Sequence, residues 1–164
     1  MTWSATNTTV RSEIQLSYTF LPLTFHHAVW IPHKLIPYLL DNCEVGPHPC
    51  IMEQYMEFAF LHMTDLLDSY NKTQDDLTFT WASEVAMEFG LPVKEIIDVY
   101  SPYSDTHNSE MRTRQMLKLN TANHVSGTPF GFVNGILLET FPHTAEDWMV
   151  VLNSVYESQY KPKL

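Results

Sequence analysis

Two cysteines and a set of histidines are the side chains best suited here to sulfur or metal chemistry. Cys43 and Cys50 flank Pro47-His48-Pro49 as a Cys-x6-Cys pair. Thiol–disulfide catalysis favours a Cys-x-x-Cys at an exposed helix N-terminus, where the thiol pKa falls; a loop stiffened by two prolines offers neither condition. The pair leaves three outcomes open: a loop-closing disulfide in an oxidising compartment, two free thiols in a reducing one, or a zinc set completed by His48 and by His33 or His62. Structural zinc sites favour cysteines separated by roughly two to four residues, so no metal is expected. The chain has eight histidines, and His26, His27, His33, His48 and His62 crowd its first half. Acid–base use would need a nucleophile or metal beside one of them. No Gly-x-Ser-x-Gly elbow, phosphate loop, dinucleotide fingerprint or paired-carboxylate motif supplies one, so no catalytic residue and no cofactor is expected. Two sequons, Asn7-Thr8-Thr9 and Asn71-Lys72-Thr73, are candidate glycan acceptors in expected loops.

The elements that would position these residues follow from periodicity. Arg11–Phe20 alternates, with Ile14, Leu16, Tyr18 and Phe20 on one face, and predicts a half-buried strand. Phe25–Asn42 is helical in tone but interrupted by Pro32 and Pro37, which predicts a kinked or broken helix before a Pro/Gly-rich loop over Asn42–Pro49. Cys50–Tyr70 carries the clearest helical stripe, through Met52, Tyr55, Met56, Ala59, Met63, Leu66, Leu67 and Tyr70. Thr78–Phe89 predicts a helix stopped by Gly90, Pro92 opens another through Tyr100, and Ser104 or Asp105 begins one to about Asn120. The segment Thr128-Pro129-Phe130-Gly131-Phe132-Val133-Asn134-Gly135 reads as a short strand and a tight turn. Proline cannot donate to a ladder and belongs at a strand entrance, where an X-Pro bond can also be cis at small cost. Asn134-Gly135 is the preferred pair for a type I′ hairpin. Thr144 predicts the N-cap of a last helix with Trp148, Val151, Leu152, Val155 and Tyr156 on one face.

Length and charge bound the rest. A chain of 164 residues is long enough for one domain with a core that needs no metal. A formal charge of −10 with scattered basic residues argues against nucleic-acid partners and anionic membrane surfaces. No apolar run reaches the roughly 18 residues that would span a bilayer. Met1–Val10 is polar and unlike a signal peptide, so the compartment stays open: a secretory lumen if a leader lies upstream, the cytoplasm otherwise.

Two motifs together carry a resemblance. Glu13–Phe20 runs into Leu21-Pro22-Leu23-Thr24-Phe25-His26-His27-Ala28, and about a hundred residues later come Gly127-Thr128-Pro129, an apolar strand, Asn134-Gly135 and a C-terminal helix. This pattern resembles the DsbA-like branch of the thioredoxin-fold proteins, although Leu21 and Thr24 depart from that branch's aromatic and second proline. The resemblance implies an α/β, thioredoxin-like fold as a single domain over 1–164, with sheet elements at about 12–21 and 128–160 and an all-helical insertion at about 26–122. It implies that Thr128 and Pro129 form a loop whose backbone pairs with an extended substrate segment, and that His26 caps or packs a helix. The Cys-x-x-Cys of that branch has no counterpart, and Met1–Ser12 is too short for the strand, turn and helix of roughly thirty residues that would hold it. The expected function is therefore a non-catalytic interaction protein that binds an extended peptide or protein. The alternatives are a thiol–disulfide oxidoreductase whose redox segment lies outside this chain, and a relative of kappa-type glutathione transferases. A sheet missing its central strand would expose unpaired backbone groups, which adds a strand-exchanged homodimer to the expected partners.

Overall fold

The computed structural model describes residues 14–26, 28–68 and 70–160, with side chains through Val155. Expectations that fall on residues 1–13, His27, Ser69 and 161–164, the Asn7 sequon among them, lie outside the described residues. Two compact units divide the chain, Met1–Ser126 and Gly127–Leu164.

The first unit is built from six helices among its described residues: α1 (Trp30–Glu44), α2 (Met52–Leu61), α3 (Met63–Leu67), α4 (Gln74–Phe89), α5 (Val93–Asp98) and α6 (Ser109–Ala122). Helix α1 is the hub and packs on α2, α4 and α6, while α4 packs on α5. Its buried face of Ile31, Leu35, Ile36 and Leu39 meets Met52, Tyr55 and Phe58 of α2 and Trp81, Ala82 and Val85 of α4 in one core. Helix α1 runs unbroken through both prolines, and its surroundings show how. Pro32 sits in the first turn, where a backbone N–H has no helical partner anyway. Pro37 lies in the interior and cannot donate to the carbonyl of His33, and the Thr113 hydroxyl of α6 donates to that carbonyl instead, at 3.3 Å. Two neighbouring carbonyls, Ile31 and Pro32, accept from the Tyr100 and Tyr55 hydroxyls at 2.9 and 2.7 Å. The Trp81 indole N–H in turn donates to the Tyr55 oxygen at 3.2 Å. The proline-bearing turn thus receives donors from three other segments, and the His33 carbonyl, which Pro37 leaves without its helical partner, is paired by Thr113.

Helix ends follow local chemistry. The Thr73 hydroxyl accepts from the Asp76 N–H at 3.1 Å and caps α4, and Gly90 ends that helix in the left-handed region at φ 64°. The stripe over Cys50–Tyr70 does not make one helix: it breaks at His62 into α2 and α3, and Met63 and Tyr70 are exposed while Met52, Tyr55 and Leu66 are buried.

The second unit contains a hairpin, β1 (Phe132–Val133) with β2 (Ile136–Leu137), followed by α7 (Ala145–Tyr160). Strand pairing is antiparallel, Phe132 with Leu137 and Val133 with Ile136. Asn134 and Gly135 both have positive φ, 49° and 80°, as a type I′ turn requires. The Asp147 N–H donates to the Thr144 hydroxyl at 3.1 Å, so Thr144 caps α7.

The α/β expectation is overturned. Among the described residues the structure is mostly helical and the sheet has two short strands, so the thioredoxin-like fold built around a central sheet is not what this chain forms. The sheet element expected at about 12–21 fails for a specific reason. Residues 14–20 belong to no strand, and Leu16 and Tyr18 are 77% and 55% exposed. A period of two makes a strand only where a neighbouring backbone takes its N–H and C=O groups, and none does so here among the described residues. At 128–160 the sheet is the two-residue ladder alone.

Candidate functional site

In the helical unit, the sulfur-bearing loop is closed. Cys43, in the last turn of α1, is disulfide-bonded to Cys50, just before α2, with Cα atoms 4.2 Å apart. Both thiols are thereby consumed, and the zinc set of Cys43, His48 and Cys50 is not assembled. Gly46 belongs to this loop by necessity: a Cβ there would collide with Asn42, whose amide is buried and donates to the Tyr38 carbonyl at 3.2 Å. The His48 imidazole, carried by the same loop, donates from Nε2 to Glu95 of α5 at 2.8 Å, and the Tyr38 hydroxyl donates to the same carboxylate at 3.2 Å. Burial and the facing Glu95 carboxylate outweigh the Asn42 hydrogen bond and push the Tyr38 hydroxyl up to about 12.

A second carboxylate lies one turn further along α1. Asp41 accepts from His107 Nδ1 at 2.7 Å and from the Arg112 guanidinium at 2.8 Å, and Arg112 also reaches the carbonyls of Pro37 and His107. Partial burial raises the Asp41 pKa, but the hydrogen bonds and charges of His107 and Arg112 more than offset it, so the group sits below the ordinary carboxylate value. Asp105 fixes the loop that presents His107, accepting from the backbone N–H groups of His107 and Ser109 at 2.9 and 2.6 Å. An aspartate orienting an imidazole is half of a hydrolytic triad. Ser109, at the start of α6, does not complete one, because it is buried and its hydroxyl donates to Asp105 at 3.1 Å. With Arg112 neutralising Asp41, the group acts as a clamp between α1 and the start of α6. Sequence reading missed Tyr38, Asp41, Glu95, His107 and Arg112 as a group. They lie on four separated segments, and no local spacing marks them.

Of the remaining predicted residues, His33 is part-buried on α1, its Nδ1 2.8 Å from the Val29 carbonyl, and Asn71, Thr128, Pro129 and His26 are open to solvent. Asn71 is exposed in the turn before α4. The pair Thr128 and Pro129 is exposed at the start of the second unit, and the bond between them is cis. His26 stands in a turn, its N–H donating to the Leu23 carbonyl at 2.9 Å, and it precedes α1 without capping it.

Among the described residues, no backbone pairs with the outer edge of the hairpin that follows Pro129. In a two-residue hairpin the pair flanking the turn, Val133 and Ile136, exchanges hydrogen bonds, and the alternation then returns at Gly131 and Leu138. The Leu138 N–H does donate to the Gly131 carbonyl, at 2.9 Å. The intervening pair, Phe132 and Leu137, must therefore aim its N–H and C=O groups outward. Its side chains are also in solvent, Phe132 at 46% and Leu137 at 47% exposure, as is Ile136 of the pair beside the turn at 72%. Gly131 permits close packing on the inner side, since a Cβ there would meet Phe141 and Leu138 at 3.3 and 3.2 Å. An edge of this kind offers backbone pairing to an extended segment and apolar contact to alternate side chains.

No family model, no curated protein and no solved structure matches the chain in comparisons with known proteins.

Proposed function

We propose that this chain is a non-catalytic interaction protein whose C-terminal unit takes an extended segment of a partner polypeptide along the outer edge of β1, beside Thr128 and Pro129. The observation that carries this reading is the open edge at Phe132, with outward backbone groups and exposed apolar side chains on both strands. Natural proteins usually blunt such edges with lysine, proline or a covering segment, and Phe132–Leu137 carries none of the first two. Charge narrows the partner. The unit Gly127–Leu164 holds Glu139, Glu146, Asp147 and Glu157 against Lys161 and Lys163 and no arginine, an acidic balance that favours a segment whose apolar residues are flanked by basic ones. The clamp at Asp41 and the closed disulfide give no nucleophile to an enzymatic alternative.

Geometry supplies a selective test. Because the Phe132 N–H points away from β2, Phe132→Pro removes a donor from the outer edge while sparing the hairpin's own bonds; Leu137→Pro does the same on the opposite edge. Fluorescence anisotropy with extended peptides of alternating apolar residues and lysine or glutamate flanks would measure binding. The expected result is binding of the lysine-flanked series, weakened at least about tenfold (about 1.4 kcal/mol) by Phe132→Pro and unaffected by Leu137→Pro. Equal binding to the wild type and to Phe132→Pro would overturn the reading. So would a dimer in sedimentation that Phe132→Pro converts to monomer, because the edge would then belong to a second copy. Turnover in an insulin-reduction assay would overturn its non-catalytic part.

A further inference from the structure

We infer that Asn71 is an acceptor for an N-linked glycan and that it is modified before the first turn of α4 closes. Two observations, independent of the peptide-binding reading, meet here. Asn71-Lys72-Thr73 lies in an exposed turn, and the unit that contains it holds the Cys43–Cys50 disulfide. Persistent disulfides belong to oxidising compartments, and the secretory lumen is also where Asn-x-Thr sequons receive glycans. Asn71 is exposed and lines a cleft of about 340 Å³ together with Asp65, Asp68 and Glu84 and with the core residues Leu66, Leu77 and Trp81.

The timing follows from one oxygen. Recognition of a sequon requires the hydroxyl two residues after the asparagine, here that of Thr73. In the folded unit this hydroxyl is already committed: it accepts from the Asp76 N–H at 3.1 Å and donates to the Asp76 carboxylate at 2.6 Å. A transferring enzyme cannot read the hydroxyl and leave the cap intact, so transfer must precede the cap. The donor is a polyprenyl-pyrophosphate-linked oligosaccharide. The Asn71 amide nitrogen forms a bond to the anomeric carbon, the bond from that carbon to the pyrophosphate oxygen breaks with its electron pair going to the leaving lipid pyrophosphate, and the amide loses one proton.

The experiment has two arms and one check. The full chain, fused behind a cleavable secretory leader, is translated in the presence of microsomes; in parallel, the purified, oxidised and folded chain is offered to the solubilised transferase with the lipid-linked donor. We expect the nascent chain to gain a glycosidase-sensitive mobility shift that Asn71→Gln removes and Asn7→Gln leaves in place, while the folded chain stays unmodified over the same period. A mobility that Asn71→Gln leaves unchanged overturns the assignment of the site, and equal modification of folded and nascent chains overturns the timing. Mass spectrometry of the protein from its own cells is the check, and an unmodified Asn71 peptide recovered without glycosidase would overturn the inference.

Discussion

Tyr55→Phe removes a single oxygen from the middle of the helical unit, and the structure says what that oxygen holds. It donates to the Pro32 carbonyl in the first turn of α1 at 2.7 Å and accepts from the Trp81 indole N–H of α4 at 3.2 Å. Tyr55 and Trp81 are both buried, and burial pushes the Tyr55 hydroxyl far above its ordinary pKa, so it stays protonated and able to donate. The substitution preserves the ring and its packing but strands the Trp81 N–H and takes a bond from the Pro32 carbonyl. A buried group left without a partner costs about 1–3 kcal/mol, and losing a satisfied bond whose acceptor keeps other contacts costs about 0.5–1.5 kcal/mol. The expected destabilisation is therefore about 1.5–4.5 kcal/mol, read from urea unfolding followed by far-ultraviolet circular dichroism. The double variant with Trp81→Phe tests the cause. Once the indole N–H is gone, removing the hydroxyl should cost about 1 kcal/mol less than it does alone, a coupling characteristic of groups in direct contact. A Tyr55→Phe cost under about 0.5 kcal/mol, or strict additivity in the cycle, would refute the proposal that this hydroxyl bridges α1 and α4.

Two further outcomes follow from the same geometry. Reducing Cys43–Cys50, which closes a ring across a sequence separation of 7, should lower stability by about 2.4 kcal/mol from loop-closure entropy, and the Cys43→Ser/Cys50→Ser double variant should match the reduced protein in urea unfolding. A reduced protein as stable as the oxidised one would show that the ring constrains nothing. Acid should destabilise the helical unit in two steps. Burial, only partly offset by its bond to the Val29 carbonyl, lowers the His33 pKa below its ordinary 6.5, so the unfolded chain binds that proton first and stability begins to fall below about pH 6.5. For Asp41 and Glu110, burial is outweighed by hydrogen bonds and cations (His107 and Arg112 for the first; Trp30, Arg114 and Lys34 for the second). Their folded pKa values lie below the unfolded ones, so their contribution is whole at neutral pH and is lost as pH falls from about 5 through the depressed values. Urea midpoints measured from pH 7.5 to 3.5 should decline throughout, with a shallower acid limb in Asp41→Asn; a rise on acidification would contradict the assigned signs.

Much of the local structure was legible in the residues. The Thr144 cap, the Gly90 stop and the Asn134-Gly135 turn each depend on a side chain and a backbone within a few residues, so spacing alone carries them. Of the kinked or broken helix expected from Pro32 and Pro37, the break does not occur: α1 continues from Trp30 to Glu44, and the Thr113 hydroxyl of α6 supplies the His33 carbonyl to which Pro37 cannot donate. The helical stripe over Cys50–Tyr70 was right in period and wrong in continuity, since α2 and α3 meet at His62. The Asp41, His107 and Arg112 clamp had no trace in the sequence, its members being separated by 66 and 71 residues.

By itself, then, the amino-acid order marked the Gly90 stop, the Thr144 cap and the Asn134-Gly135 turn, because each is decided by bonds between near neighbours; it left the state of Cys43 and Cys50 open and set several helix starts some residues away from Trp30, Gln74 and Ser109. It did not determine the architecture. Alternation over 14–20 and the Thr-Pro, Asn-Gly pattern suggested an α/β sheet protein, but strand formation requires a second backbone at hydrogen-bonding distance, and among the described residues tertiary packing supplied one only within the hairpin. Packing likewise decided that Tyr55, Thr113 and Tyr100 would spend their hydroxyls on the carbonyls of α1, because only the assembled fold brings those donors to that turn.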